Sequence, residues 1–85
     1  MKTFTYTITD PQGIHARPAG ELVKVAKQFN STITLEKDGK KADAKKIFAI
    51  MSLAVKSGQE VAFTVEGDDE EKAAQAVQAF LKEKM

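Results

Sequence analysis

The stretch Thr32-Ile33-Thr34-Leu35-Glu36-Lys37-Asp38-Gly39-Lys40-Lys41-Ala42-Asp43-Ala44 decides how the chain is laid out. Ile33 and Leu35 alternate with Thr32, Thr34 and Glu36, the period of a strand with one buried face. Asp38-Gly39 is the dipeptide that closes tight hairpins, because both turn residues must reach positive φ. Lys40–Ala44 then returns as a short partner strand. On the N-terminal side, Phe4, Tyr6 and Ile8 alternate with threonines as a further strand. Asp10-Pro11-Gln12-Gly13 reads as a turn. Ala19, Leu22, Val23, Ala26 and Phe29 recur at helical spacing, which predicts a helix from about Arg17 to about Gln28. On the C-terminal side, Ile47–Val55 is apolar and of helix length. Ser57-Gly58 turns the chain, and Val61, Phe63 and Val65 alternate as a fourth strand. Ala73, Ala74, Val77, Phe80 and Leu81 form the apolar stripe of a last helix.

Strand, helix, strand, strand, helix, strand, helix is an α+β order. It is expected to give a four-stranded antiparallel sheet with its three helices on one face. The threonines, Glu36 and Lys2 would then occupy a second face open to water.

The 85 residues form a single expected domain, residues 1–85. A domain of this size buries roughly 60% of its unfolded surface, leaving no room for a deep, enclosed active site. Chemistry is therefore expected at the surface, with a larger partner completing the site. No cysteine is present, which excludes a disulfide, a thiol nucleophile and a cysteine metal site. One histidine without clustered acids does not fill a metal's tetrahedral set. No metal or cofactor is expected. The start of the chain alternates like a strand rather than a signal peptide. No apolar run approaches ~18 residues, so membrane insertion is not expected and the cytoplasm is the default.

The net charge is +1, but residues 12–57 carry nine basic and four acidic side chains, and residues 58–85 three and seven. Such asymmetry fits a face meant for an acidic partner or an anion, although an ordinary solvated surface also accounts for it.

The two long helices begin differently. The last opens with Asp68-Asp69-Glu70-Glu71, where acids suit the positive helix end and Asp68 with Glu71 fits a capping box. The first opens with Gly13-Ile14-His15-Ala16-Arg17-Pro18. It has no capping side chain and no acid. Pro18 fits a first helical turn, and the N–H groups of Ala16 and Arg17 lack helical acceptors. An anion is the natural acceptor there. Arg17 adds a planar fork of donors for phosphate oxygens. His15 supplies a nucleophile whose neutral, reactive form is favoured beside a positive helix end. A lone histidine in such a place is most often a loop residue without a task. The uncapped end and Arg17 weigh on the side of chemistry.

Gly13-Ile14-His15-Ala16-Arg17-Pro18-Ala19 resembles the phosphorylation signature of the HPr family, the histidine-containing phosphocarriers of the bacterial sugar phosphotransferase system. Length, element order, the Asp38-Gly39 hairpin and Lys45–Leu53 extend the likeness over the whole chain. The resemblance implies an open-faced β-sandwich with strand order 1-4-2-3. It implies that His15 takes a phosphoryl group on Nδ1 from phospho-enzyme I and passes it to sugar-specific IIA domains, with Arg17 stabilising the group. On that reading the chain is a transfer intermediate rather than an enzyme, and a monomer, because each partner must reach the same face.

More apolar residues crowd Ile47–Val55 than one helix stripe can bury. Ile50 and Leu53 are expected in the core, and Ile47, Phe48 and Met51 as an exposed apolar patch. In the family this segment docks enzyme I and IIA. Lys24, Lys27 and Lys45 are expected around its rim, with Gly20 and Val23 allowing close approach. Many relatives carry a serine at position 46 that a dedicated kinase phosphorylates. Lys46 stands here, so that regulation is expected to be absent. Two rival readings are a small nucleic-acid-binding domain and a small ester hydrolase. The scattered lysines and half-buried aromatics argue against the first, and the lack of a base beside His15 against the second.

Overall fold

The computed structural model describes residues 1–14 and 16–84. His15 and Met85 lie outside the described residues. The elements are β1 (Lys2–Thr7), α1 (Ala16–Lys27), β2 (Thr32–Lys37), β3 (Lys40–Asp43), α2 (Ile47–Ser52), β4 (Glu60–Glu66) and α3 (Glu70–Lys84). The strands form one antiparallel sheet in the order β1-β4-β2-β3. The expected order is therefore the observed one.

Register explains the two faces. Phe4 opposes Phe63, which opposes Leu35, which opposes Ala42. Directly opposed residues share a face, so this row points together toward the helices. Ile33, Leu35, Val61, Phe63 and Val65 are wholly buried there, together with Leu22 of α1, Ile50 of α2 and Val77 and Leu81 of α3. The Phe4 and Phe63 rings stack with centroids 5.1 Å apart. Thr3, Thr5 and Thr7 point the other way and are exposed.

Long-range polar contacts tie helix ends to other parts of the fold. The Tyr6 hydroxyl donates to the Leu81 carbonyl at 3.0 Å, tying β1 to the end of α3. Lys45 Nζ donates to the Phe29 carbonyl just beyond α1 at 2.9 Å. Lys37 Nζ donates to the Leu53 and Ala54 carbonyls, both at 3.2 Å, beyond the end of α2. Ammonium groups suit these positions because unpaired carbonyls concentrate negative charge where helices end.

Two helix boundaries depart from expectation. Residues 53–55 are not helical: Ala54 takes φ +52°, ending α2 at Ser52. At α3, the reciprocal contact of a capping box runs between Gly67 and Glu70, not between Asp68 and Glu71. Glu70 Oε1 accepts the Gly67 N–H at 3.3 Å, and Glu71 instead pairs with Lys2 at 3.4 Å. Asp69, just before the helix, reaches across to the start of β2. Its carboxylate accepts the Asn30 N–H at 2.9 Å, the Ser31 N–H at 3.0 Å and the Ser31 hydroxyl. Ser31 is fully buried, so this partner answers a group with no access to water.

These contacts set an acid sensitivity. The Ser31 hydroxyl first, then the Asn30 N–H, hold the Asp69 carboxyl below its ordinary pKa. Glu70 is lowered by its ion pair with the N-terminal ammonium at 2.7 Å and by the Gly67 N–H. A carboxyl depressed in the folded state contributes stability above its unfolded pKa of about 4 and loses it as pH falls through the folded value. Urea unfolding is expected to show a stability that falls below about pH 4. Asp69→Asn should lower stability at pH 7 and make the fall shallower. An acid limb as steep as the parent's would remove Asp69 as one of its sources.

Candidate functional site

The start of α1 is positioned by a neighbour in space. The Ile14 N–H donates to the Val55 carbonyl at 3.0 Å, and the Gly13 N–H to the Asp10 carbonyl at 2.9 Å. Gly13 takes φ +68°, and a Cβ there would sit 2.3 Å from the Val55 oxygen and 2.8 Å from Lys56 Cα. The chain thus enters α1 pressed against the backbone that follows α2. Ala16 is the first helical residue, and no acid stands in the first turn. Ala16 and Arg17 are exposed, while Pro18 and Ala19 are buried beneath them. The helix end therefore presents backbone donors and a guanidinium to solvent on a rigid base. Such an end accepts an anion chemically.

Arg17 and Pro18 line an open cleft with Asp10, Glu21 and Lys84. Asp10 belongs to the turn after β1, and its Oδ1 accepts the Gln12 N–H at 2.8 Å. Glu21 lies one turn further along α1, and Lys84 is the last residue of α3. Sequence reading overlooked Asp10, Glu21 and Lys84. The spacing of four residues between Arg17 and Glu21 was a visible signal. The approach of Lys84 was not, since it depends on where α3 ends in space.

The second part of the site is α2. Phe48 is 82% exposed and Met51 37%, whereas Ile50 and Leu53 are buried. Ile47 is half-buried, and its Cδ1 lies 3.6 Å from where a Gly20 Cβ would be, an ordinary contact distance, so α1 and α2 touch here without the packing requiring a glycine. The exposed patch is thus seated on α1, beside the helix whose N-terminus carries Arg17. Lys46 occupies the N-cap of α2 with φ −125° and ψ 110° and makes no side-chain cap. An ammonium cannot accept a hydrogen bond from the orphan N–H groups, so this helix begins without a side-chain cap.

The rim residues separate. Lys24 and Lys27 are exposed in the last turn of α1, and Val23 packs half-buried against the core. Lys45 is half-buried and its ammonium bonds the Phe29 carbonyl. His15, the proposed centre, lies outside the described residues. No helix is long and apolar enough to cross a membrane among the described residues. No group of three metal-ligating side chains gathers among them either.

The family model described as PTS HPr component phosphorylation site matches residues 2–83. A phosphocarrier protein HPr from Lysinibacillus sphaericus is 45% identical over 83 residues, which are 98% of this chain and 94% of the relative. A crystal structure of HPr-C-His from Thermoanaerobacter tengcongensis superposes with a TM-score of 0.92 at 46% identity, covering 96% of this chain and 92% of that one. Crh from Bacillus subtilis, described as a dimer with a swapped domain, superposes with a TM-score of 0.79 at 41% identity, covering 94% and 92%.

Proposed function

The chain belongs to the HPr family of phosphotransferase-system components, and from that premise we propose that His15 receives a phosphoryl group from phospho-enzyme I and hands it to IIA domains. The observation that carries the reading is the start of α1. It follows the chain's only histidine, lacks an acid, exposes Arg17 and is clamped from below by the Val55 carbonyl. In the proposed step, His15 Nδ1 attacks phosphorus as the bond between the phosphoryl group and enzyme I breaks. The group arrives with its charge beside the Ala16 N–H and the Arg17 guanidinium, where a helix N-terminus and a planar fork of donors both stabilise it. The same positive end disfavours imidazolium, keeping the ring neutral and nucleophilic beforehand.

Phe48, Met51 and Ile47, with Gly20 and Val23 below and Lys24, Lys27, Lys45 and Lys46 around, form the proposed docking face for both partners. An aromatic and a methionine suit reuse by different surfaces. The carrier acts in the cytoplasm, delivers phosphoryl groups for sugar uptake and works as a monomer. The swapped dimer described for the Crh relative makes mass in solution the measurement that checks the last point.

The test is intact mass after incubation with phosphoenolpyruvate, magnesium and enzyme I. One phosphoryl group, lost in mild acid and absent from His15→Ala, supports the carrier. No gain with a competent enzyme I counts against it. The serine-kinase reading has its own test. Incubated with ATP and the kinase that phosphorylates position 46 in relatives, this chain is expected to remain unlabelled, because an ammonium side chain offers no hydroxyl. Label on the chain would overturn that expectation.

A further inference from the structure

Three successive backbone carbonyls follow α2, and each is taken by a group from another part of the fold. Lys37 Nζ, at the end of β2, donates to the carbonyls of Leu53 and Ala54, both at 3.2 Å. The Val55 carbonyl accepts the Ile14 N–H at 3.0 Å. Ile14 is the residue immediately before His15. A continuous set of contacts therefore runs from the hairpin, through residues 53–55, to the entry of α1.

The middle of this segment is strained. Ala54 takes φ +52°, a left-handed conformation that a residue with a Cβ resists. Such a residue persists only where its surroundings over-determine it. On the N–H side, Leu53 and Ala54 donate to the Ile50 and Met51 carbonyls at 3.2 and 3.1 Å. On the carbonyl side the partner is the Lys37 ammonium. Leu53 and Val55 are buried and Ala54 is exposed, so the core grips the residues on either side of Ala54 and not Ala54 itself.

We propose that Lys37 is a positioning residue for phosphoryl transfer: by fixing the Leu53 and Ala54 carbonyls it holds the Val55 carbonyl in place for Ile14, and so sets the backbone that carries His15. The inference rests on the phosphocarrier reading above. Without the ammonium, Ala54 is free to leave its strained conformation. The Val55 carbonyl then turns with it, and the Ile14 N–H loses a fixed acceptor. The backbone leading into α1 is left less defined, and the nucleophile it carries spends less time aligned with phosphorus. Lys37 acts in this way through the backbone and without touching the phosphoryl group. Lys40 lies directly across the hairpin from Lys37 and is exposed. It carries the same charge, so comparing the two lysines separates the hydrogen bonds from the charge.

Lys37→Met keeps a long, unbranched side chain and removes the donors. It is expected to lower the limiting rate of phosphoryl transfer from phospho-enzyme I about 3- to 10-fold, because small displacements of a reacting group are costly. The carrier concentration at half-maximal rate should stay within about twofold, because Phe48, in the first turn of α2, is untouched. The experiment mixes the full chain with enzyme I already phosphorylated, in single turnovers at rising carrier concentration and at a temperature where every variant is folded. Transfer is read by intact mass. Hydrogen exchange of the Ile14 amide in the unphosphorylated chain is the second readout, and should quicken about 3- to 10-fold in Lys37→Met. Lys37→Arg, which keeps donors for both carbonyls, should recover both readouts, and Lys40→Met should change neither. An Ile14 amide that exchanges as in the parent, a loss confined to half-saturation, no recovery in Lys37→Arg or an equal loss in Lys40→Met would overturn the role of Lys37 and leave the carrier intact. A parent that accepts no phosphoryl group would instead overturn the reading beneath it.

Discussion

Gly13→Ala is expected to lower stability by about 3 kcal/mol and to displace the start of α1. Two effects add. A residue with a Cβ resists φ +68°, at roughly 1–2 kcal/mol. The new Cβ would also lie 2.3 Å from the Val55 carbonyl oxygen, a backbone atom that cannot swing aside as a side-chain end can. That oxygen accepts the Ile14 N–H, so relieving the overlap loosens a bond worth about 1 kcal/mol. Gly39 separates the two effects. It also has positive φ, +81°, but nothing lies within 4 Å of its would-be Cβ. Gly39→Ala should therefore cost only the strain, about 1–2 kcal/mol. Thermal denaturation distinguishes them, since 1 kcal/mol moves the midpoint of a domain this size by roughly 4–8 °C. Equal losses in the two variants would show that the clamp at Val55 contributes nothing. In the functional assay, Gly13→Ala should also impair phosphoryl uptake under conditions where the variant remains folded, because Ile14 leads directly into the proposed site.

Phe48→Asp should do the opposite: leave the fold intact and cripple transfer. At 82% exposure Phe48 has little buried area to lose. Surface changes of this kind usually stay within about 0.5 kcal/mol. A carboxylate in the first turn of α2 even suits the helix end where Lys46 does not. At a protein interface, by contrast, a central aromatic is worth roughly 2–4 kcal/mol, and a charge left unpaired there adds to the loss. The expected result is a fall of about 30- to 1,000-fold in kcat/KM for phosphorylation by enzyme I, chiefly through KM. Unchanged transfer kinetics would mean that enzyme I does not use α2. A matched loss of thermal stability would mean that Phe48 belongs to the fold after all.

The distinction between these two positions shows where sequence reasoning is strong. Phe48 and Met51 stood out because Ile47–Val55 holds more apolar residues than one stripe accommodates, and Ile50 and Leu53 were separable as the buried ones. The acid-free first turn of α1 was equally visible, because it is read from residues adjacent in the chain. Asp69 shows the limit. Four consecutive acids offered several capping registers. Asp69 turns away from its own helix because the buried Ser31 hydroxyl lies across from it, 38 residues away in sequence. Lys45 carries the same lesson, since the carbonyl its ammonium satisfies belongs to Phe29, on a different element.

The sequence by itself therefore determined the element order, the hairpin at Asp38-Gly39, the two faces of the sheet, the apolar patch on α2 and the acid-free, Arg17-bearing first turn of α1. All of these follow from backbone periodicity, turn geometry and capping, which act over a few residues. Only the tertiary structure decided that Val55 clamps the entry to α1, that lysine ammonium groups close the carbonyl ends of α1 and α2, and that Asp10, Glu21 and Lys84 share a cleft with Arg17. Those contacts depend on which element ends the packed core brings together, and no local spacing encodes that distance.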